Sequence, residues 1–357
     1  MPSSTTCPTY PKRSCNLPDS LFRSTRTVVW KRVTEYLSIL KCVRPPHIYV
    51  SVFAAISAGA FGTQSGLISL PFIKGPPPSY QGPRPSPSFE FRSFTSIALK
   101  ARFDRFGYSL PSVRSGKSDV PRLFISQLPG DFPQVKSTTE RKDLFLRGVL
   151  PLVLRVNERL SRDRSRLLQI EQQIKTRRQP SDGDAAWLAN LEELYSVAPG
   201  DLRSLIRRVD QVPVSLALAQ AAIESGWGTS RFAMLGNALF GQWTENPDVP
   251  GLLPAERGEN QFHRVRAFSK LIRSVWKYAH NLNTHQAYKE FRLRRSETRQ
   301  AGKPLSGNVL ALTLTRYSER GSAYTEELHT IIRVNRLNEF DRTKIVGTKP
   351  TGAAPTS

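Results

Sequence analysis

From Ser137 onward the chain repeats its apolar residues at helical spacing, and that period commits most of it to packed helices. Ser137 and Glu140 stand as a capping box, and Phe145, Val149, Val153, Val156 and Leu160 follow, with Pro151 placed to kink the run. The pattern continues through Leu167, Ile170 and Ile174 to Arg178, where Pro180-Ser181-Asp182-Gly183 breaks it. A second helix is predicted from Asp184, with Trp187, Leu188, Leu191, Leu194 and Tyr195 on one face. A third, over 201–209, turns Leu202, Leu205 and Ile206 inward and Arg203, Arg207 and Arg208 to water. Stretches around Leu310, Leu312 and Leu314, and around Tyr324, Leu328, Ile331 and Ile332, read as further core-facing helices.

The fourth helix, from Pro213 to Gly228, carries the chemistry. Leu216, Ala219, Ile223 and Trp227 keep an inward stripe, Gln220 and Glu224 lie one turn apart beside it, and Gly226 and Gly228 end the helix. Glu224 is thereby held near a rigid helix end among small residues. A carboxyl group placed between an apolar face and a cleft has its pKa raised, as a general acid working near neutral pH requires. Spacing alone leaves the bland reading, a solvated helix glutamate, the commoner one.

The N-terminal part has a different texture. No Asp, Glu, Lys or Arg occurs from Pro45 to Ile73, and Lys41 and Arg44 precede this run. A basic flank, an apolar stretch from Ile48 to Ile56 and the small residues Ala58-Gly59-Ala60 match a secretory signal cleaved after Ala60. A signal anchor is the alternative, weakened by Thr63, Gln64, Ser65, Ser69 and Pro71. The signal lies far from Met1, and the only other methionine is Met234, so a downstream non-ATG start such as Val43 is expected. Residues 1–74 are thus a basic extension plus signal. Residues 75–136, with Pro76, Pro77, Pro78, Pro83, Pro85 and Pro87, read as a disordered Pro-rich linker. Its aromatics Phe89, Phe91, Phe94, Phe103 and Phe106 alternatively mark a short strand or a docking segment. The helical body then divides into 137–210 and a catalytic domain over 211–342, with a disordered tail at 343–357.

The charge of +23 is spread along the chain and not gathered into one arm. It suits attraction to an anionic envelope or membrane surface better than nucleic-acid recognition, and no helix-turn-helix spacing is found. Cys7, Cys15 and Cys42 are the only cysteines, so the helical body has no thiol zinc site and no disulfide. His263, His280, His285 and His329 form no ligand motif, and no metal or cofactor is expected. Arg292, Arg294, Arg295 and Arg299 read as a solvated basic face.

Four ordered motifs go further than spacing. These are residues 219–230 (AQAAIESGWGTS), 236–243 (GNALFGQW), 281–288 (NLNTHQAY) and Tyr317-Ser-x-x-Gly-x-x-Tyr324. Over roughly 140–342 the chain resembles the glucosaminidase superfamily of bacterial cell-wall hydrolases, in its Bax-type branch. The resemblance implies a mainly α, lysozyme-like α+β fold with a helical lobe and a small β-hairpin lobe. It implies hydrolysis of the β-1,4 bond between N-acetylglucosamine and N-acetylmuramic acid in peptidoglycan glycan strands, by an exported protein of the periplasm or cell envelope. Glu224 matches the catalytic glutamate and Tyr317 a tyrosine lining the cleft. Ser225, Trp227, Asn237, Phe240, Gly241 and Tyr324 match positions that shape the site or bind sugar, Trp227 and Phe240 being as well suited to the core.

Two departures matter. Ala238 stands where the motif usually has a second asparagine, and the β lobe shows no clean second carboxylate. Glu256 and Glu259, ahead of a short strand within residues 261–267, are the candidates. A two-carboxylate glycosidase sets its partners roughly 5 Å apart to retain configuration or roughly 6.5 to 9.5 Å to invert it. Without that partner, attack by the substrate's own N-acetyl group is the favoured route. A lytic transglycosylase, a stem amidase and a catalytically silent wall-binding protein are the competing readings.

Overall fold

The computed structural model describes residues 89–254 and 263–346. The signal segment, the start of the Pro-rich stretch, Glu256 and Glu259, and residues 347–357 lie outside the described residues. Among the described residues no helix is long and apolar enough to cross a membrane.

The fold is mainly helical with two small sheets. Its longest element, α3 (Thr138–Lys175), runs through Pro151 without interruption. The Ser137 hydroxyl accepts from the Glu140 amide at its start, as a capping box requires. Leu144, Phe145, Val149, Val153 and Leu160 line its buried side. The helices α4 (Asp182–Leu194) and α5 (Leu202–Arg208) follow, each with its first turn closed by a side-chain cap, Ser181 and Asp201.

The linker expectation for residues 75–136 is corrected where the structure describes it. Strand β1 (Phe89–Phe91) pairs in parallel with β2 (Leu123–Ile125), and between them lie α1 (Ser96–Arg105) and α2 (Leu110–Arg114). Leu99 and Phe103, one turn apart on α1, enter the same core as Leu123, Phe124, Phe132 and Phe145. Among the described residues, Pro111 sits in the first turn of α2 and Pro133 in a 3-10 turn over Phe132–Gln134. Residues 343–346, expected in a disordered tail, are corrected too, because the Val120 amide donates to the Lys344 carbonyl and the Val120 carbonyl accepts from the Val346 amide.

Helix α6 (Val214–Ser225) is buried on nearly every side, from Val214 to Ala222. It packs against α3, against α10 (Gly307–Ala311) and α11 (Ser322–Val334), and against a 3-10 turn over Leu337–Arg342. Its N-terminus has no cap of its own, Pro213 having no side-chain acceptor. Asp341 supplies one from the far end of the chain, accepting from the Ser215 amide and from the Ser215 hydroxyl, both at 2.8 Å. The same carboxylate accepts from the Gly307 amide at 3.2 Å, tying α10 to α6. At Gly307 a Cβ would lie 2.7 Å from the Leu216 amide nitrogen and would strike the Ser215 side chain, so only glycine allows this approach.

After α6 come α7 (Arg231–Gly236) and a three-stranded antiparallel sheet of β3 (Trp243–Thr244), β4 (Gly251–Leu252) and β5 (Arg264–Arg266). Strand β5 is central, with Val265 opposite both Trp243 and Leu252, so the small lobe is a three-stranded sheet rather than a lone hairpin. Helices α8 (Leu271–Thr284) and α9 (Lys289–Gln300) return the chain to the helical lobe.

The basic face expected on α9 is also corrected. Arg292 and Arg295 are buried, and Arg295 donates to the carbonyls of Asp210, Gln211 and Arg207. Arg295 thus satisfies carbonyls at and just beyond the end of α5, and Arg292 those of Leu282 and His285 at the end of α8, a role that a charge pattern does not disclose.

The pin at the start of α6 is testable by denaturant unfolding. Asp341→Ala should cost about 2 kcal/mol through a lost cap and an orphaned hydroxyl, and Gly307→Ala about 3 kcal/mol through overpacking. A neutral Gly307→Ala would show that α10 is free to move off α6.

Candidate active site

Glu224 sits in the last turn of α6, and the residues after it hold that turn shut. Gly226 is left-handed, and the Trp227 amide reaches back to the Ala222 carbonyl at 2.8 Å. The Ser225 hydroxyl donates to the Ala221 carbonyl and accepts from the Gly228 amide at 2.9 Å. Ser225 is fully buried, so its part is to fasten the helix end, not to meet a sugar. Trp227 has a positive φ of 57°, uncommon for a bulky side chain. Its ring lies edge-on to Phe145, 5.7 Å between centroids, with the Lys142 ammonium 4.6 Å from the ring centre. Trp227 therefore packs on α3.

The second motif forms the wall facing Glu224. Asn237 takes a left-handed conformation at the end of α7 and donates from Nδ2 to the Phe268 carbonyl at 2.9 Å. Ala238 is buried, its amide bonded to the Phe232 carbonyl, and the Leu239 amide donates to the Ser274 hydroxyl at 3.1 Å. Phe240 stacks on Tyr278 at 3.9 Å with the rings 7° from parallel, inside the core. Gly241 follows with φ of 58°, and a Cβ there would stand 3.6 Å from Glu224 Oε2. The loop is thus laid against the carboxyl through its one residue without a side chain. Trp243, two residues on, is 38% exposed and lies against His263.

Aromatic residues close the remaining sides. The Tyr324 hydroxyl donates to Glu224 Oε1 at 2.9 Å. Tyr317 stacks on Tyr324, 5.4 Å between centroids and 5° from parallel, and meets Tyr288 at 5.8 Å. Among the described residues the hydrogen-bond partner of Glu224 is therefore Tyr324, while Tyr317 stands one ring further out. Tyr324 is 1% exposed, so it touches the chemistry through Glu224 rather than by binding sugar. Tyr288, Tyr278 and Gln220 belong to the same enclosure, and of these Gln220 alone was visible from its spacing.

This enclosure pushes the Glu224 carboxyl up to about 8, because burial penalises the charged form more than the Tyr324 hydrogen bond favours it. Glu327 adds to the rise, and Arg320, which pairs with Glu327 at 2.6 Å, opposes it. The four phenols around it are pushed up by burial, Tyr288 to about 12, and stay neutral proton donors. Glu245 and Asp248 are exposed on the β lobe. Among the described residues no three His, Cys, Asp or Glu side chains converge as a metal site. His280 is pushed down to about 4 by burial, with Nε2 2.8 Å from the Leu194 carbonyl, and serves the helix packing.

Residues 202–337, which include this whole enclosure, match the sequence model of a family described as mannosyl-glycoprotein endo-β-N-acetylglucosaminidase. Protein bax of Escherichia coli (strain K12) is 33% identical over 217 residues, covering 59% of this chain and 75% of that protein. The chain belongs to the glucosaminidase family. At the level of the family it is a hydrolase of the glycosidase class. The catalytic domain of the autolysin Auto from Listeria monocytogenes is 19% identical over 44% of this chain and 84% of that one, with a TM-score of 0.29.

The raised carboxyl of this glucosaminidase has a consequence for stability. Between pH 4.5 and about 8 the folded protein keeps a proton on Glu224 that the unfolded chain has released. Stability therefore declines as pH rises through that window and levels off above it. Glu224→Gln removes this term, so its stability advantage over the parent protein should grow across the window and then stay constant. A pH-independent difference in unfolding free energy would contradict the raised carboxyl.

Proposed function

We propose that this glucosaminidase cuts the β-1,4 bond between N-acetylglucosamine and N-acetylmuramic acid within peptidoglycan glycan strands, with Glu224 as the general acid. The observation that carries this reading is the placement of Glu224. It stands in the last turn of a fastened helix, with Tyr324 bonded to Oε1 and Oε2 facing Gly241, a setting whose burial raises its pKa. A group of that kind delivers a proton to the glycosidic oxygen as the bond from C1 lengthens.

The positive charge that develops at C1 needs an electron pair. In our reading the carbonyl oxygen of the 2-acetamido group on the same sugar attacks C1, and the proton of Glu224 leaves with the departing sugar hydroxyl. Water then attacks C1, the bond from the acetamido oxygen breaks and its electron pair returns to that group, and the Glu224 carboxylate takes the proton of the water, giving net retention. Exposed Trp243 offers an aromatic face at the open end of the loop, of the kind that packs against a sugar ring. The tyrosine enclosure covers the Oε1 side of the carboxyl, leaves Oε2 for the sugar and the attacking water, and stays uncharged throughout.

We further place the protein outside the cytoplasm, in the periplasm or cell envelope. The basic flank and uncharged run of the N-terminal part support export, and the charge of +23 suits an anionic envelope surface.

Digestion of purified peptidoglycan followed by mass analysis tests the reaction. New reducing ends at N-acetylglucosamine are expected, and Glu224→Gln should lower the rate at least about a thousandfold. Anhydro-muramic products would replace this reading with lytic transglycosylation, and undiminished lysis by the variant would remove Glu224 from the mechanism.

A further inference from the structure

Behind Glu224 lies a buried chain of hydrogen bonds that the reaction as described does not use. Tyr278 on α8 donates from its hydroxyl to Gln220 Oε1 at 2.7 Å, and Gln220 Nε2 donates to the Tyr324 hydroxyl oxygen at 2.9 Å. Tyr324 in turn donates to Glu224 Oε1. Gln220, Tyr278 and Tyr324 are each no more than 1% exposed, so water does not compete for these bonds. Three elements, α6, α8 and α11, contribute one link each.

The donor inventory gives the chain a direction. A phenol has one proton, and a carboxamide has a donating nitrogen and an accepting oxygen. With Tyr278 occupying Oε1, the Gln220 amide turns its nitrogen to Tyr324. The Tyr324 oxygen is then an acceptor on that side, and its single proton is left for Glu224. Glu224 Oε1 is filled as an acceptor, so the acidic proton resides on Oε2, the oxygen that faces Gly241.

We propose that Tyr324, Gln220 and Tyr278 form a polarised relay that assigns the catalytic proton to Oε2 of Glu224 and stabilises the carboxylate left after it is given up. This rests on the reading of Glu224 as the general acid. Gln220 and Tyr278 are positioning residues, since they act only through Tyr324. The opposite polarity, with the amide turned over, would place the acidic proton on Oε1, buried against Tyr324 and away from the cleft. The two polarities make opposite predictions, because a donor to the carboxylate lowers its pKa and an acceptor from the neutral acid raises it. The charged and titratable groups facing Glu224 are Tyr278, Tyr288, Tyr317, Tyr324, Glu327 and Arg320, and none of the substitutions below alters a formal charge.

The test is the pH profile of kcat/KM on purified peptidoglycan, using the full-length chain. In Tyr324→Phe the alkaline limb should move up by about one pH unit, with a plateau about tenfold lower or more. Gln220→Met and Tyr278→Phe should move it in the same direction by less, because a less polarised or misdirected Tyr324 is a weaker donor. The double variant Tyr324→Phe/Gln220→Met should keep the limb of Tyr324→Phe alone. Thermal unfolding of each variant reports folding separately, and Tyr278→Phe, which deletes one hydroxyl, serves if the others do not fold. A limb that moves down overturns the polarity, and a limb that stays in place while the plateau drops reduces these residues to structural ones. If Glu224→Gln is as active as the parent protein, it is the general-acid reading that fails, and not the relay alone.

Discussion

Helix α6 is enclosed by its neighbours along most of its length, and both of its ends are fastened by residues distant in sequence or by backbone geometry. Asp341 and Gly307 hold the start. Ser225, Gly226 and Gly228 hold the end. Glu224 is only partly exposed, and Ser225 and the Trp227 amide keep the turn that carries it closed, so its carboxyl stays in the partly desolvated position that the packing sets. The desolvation that makes it a neutral-pH acid is a property of helix packing first and of the local side chains second. The long helix α3 matters for the same reason, because it forms one wall of α6, and the folded segment ahead of it packs in turn on α3.

Two buried carboxyl groups in this molecule end in opposite states, and the contrast shows what decides the outcome. Burial would raise Asp210, but Arg295, Arg164 and Arg299 surround it and hold it below the ordinary carboxylate range. Glu224 is half-buried among phenols, and the cation acting on it, Arg320, is engaged by Glu327. A hydrogen bond from one phenol is weaker than three guanidinium groups, so desolvation wins at Glu224 and loses at Asp210. The first arrangement braces α5 and α9, and the second leaves a proton available for chemistry.

Much of this was legible in the sequence, where local rules suffice. Helices α3 to α6 follow from apolar periodicity and, for α3, from the cap at Ser137, and the close of α6 follows from Gly226 and Gly228, whereas the caps at Ser181 and Asp201 were not read from the sequence. Contacts between distant residues were not. Strands β1 and β2 have three residues each, too few to show alternation, and their pairing spans the whole of α1 and α2. Gln220 showed its place beside Glu224 through the one-turn spacing, but Tyr278 and Tyr324 reach it from 58 and 104 residues away. Arg295 misled because charge implies solvent unless carbonyl acceptors await it inside, and no local pattern reports those.

The chemistry we propose depends on Glu224 holding its proton at neutral pH inside the folded protein. Carbon-13 NMR of protein labelled at glutamate side-chain carboxyls, compared between the parent chain and Glu224→Gln, isolates that one resonance through a pH titration. A midpoint near 8 is predicted. A midpoint near the ordinary glutamate value of about 4.5 would contradict the account, because a carboxylate already ionised at neutral pH has no proton to give the glycosidic oxygen.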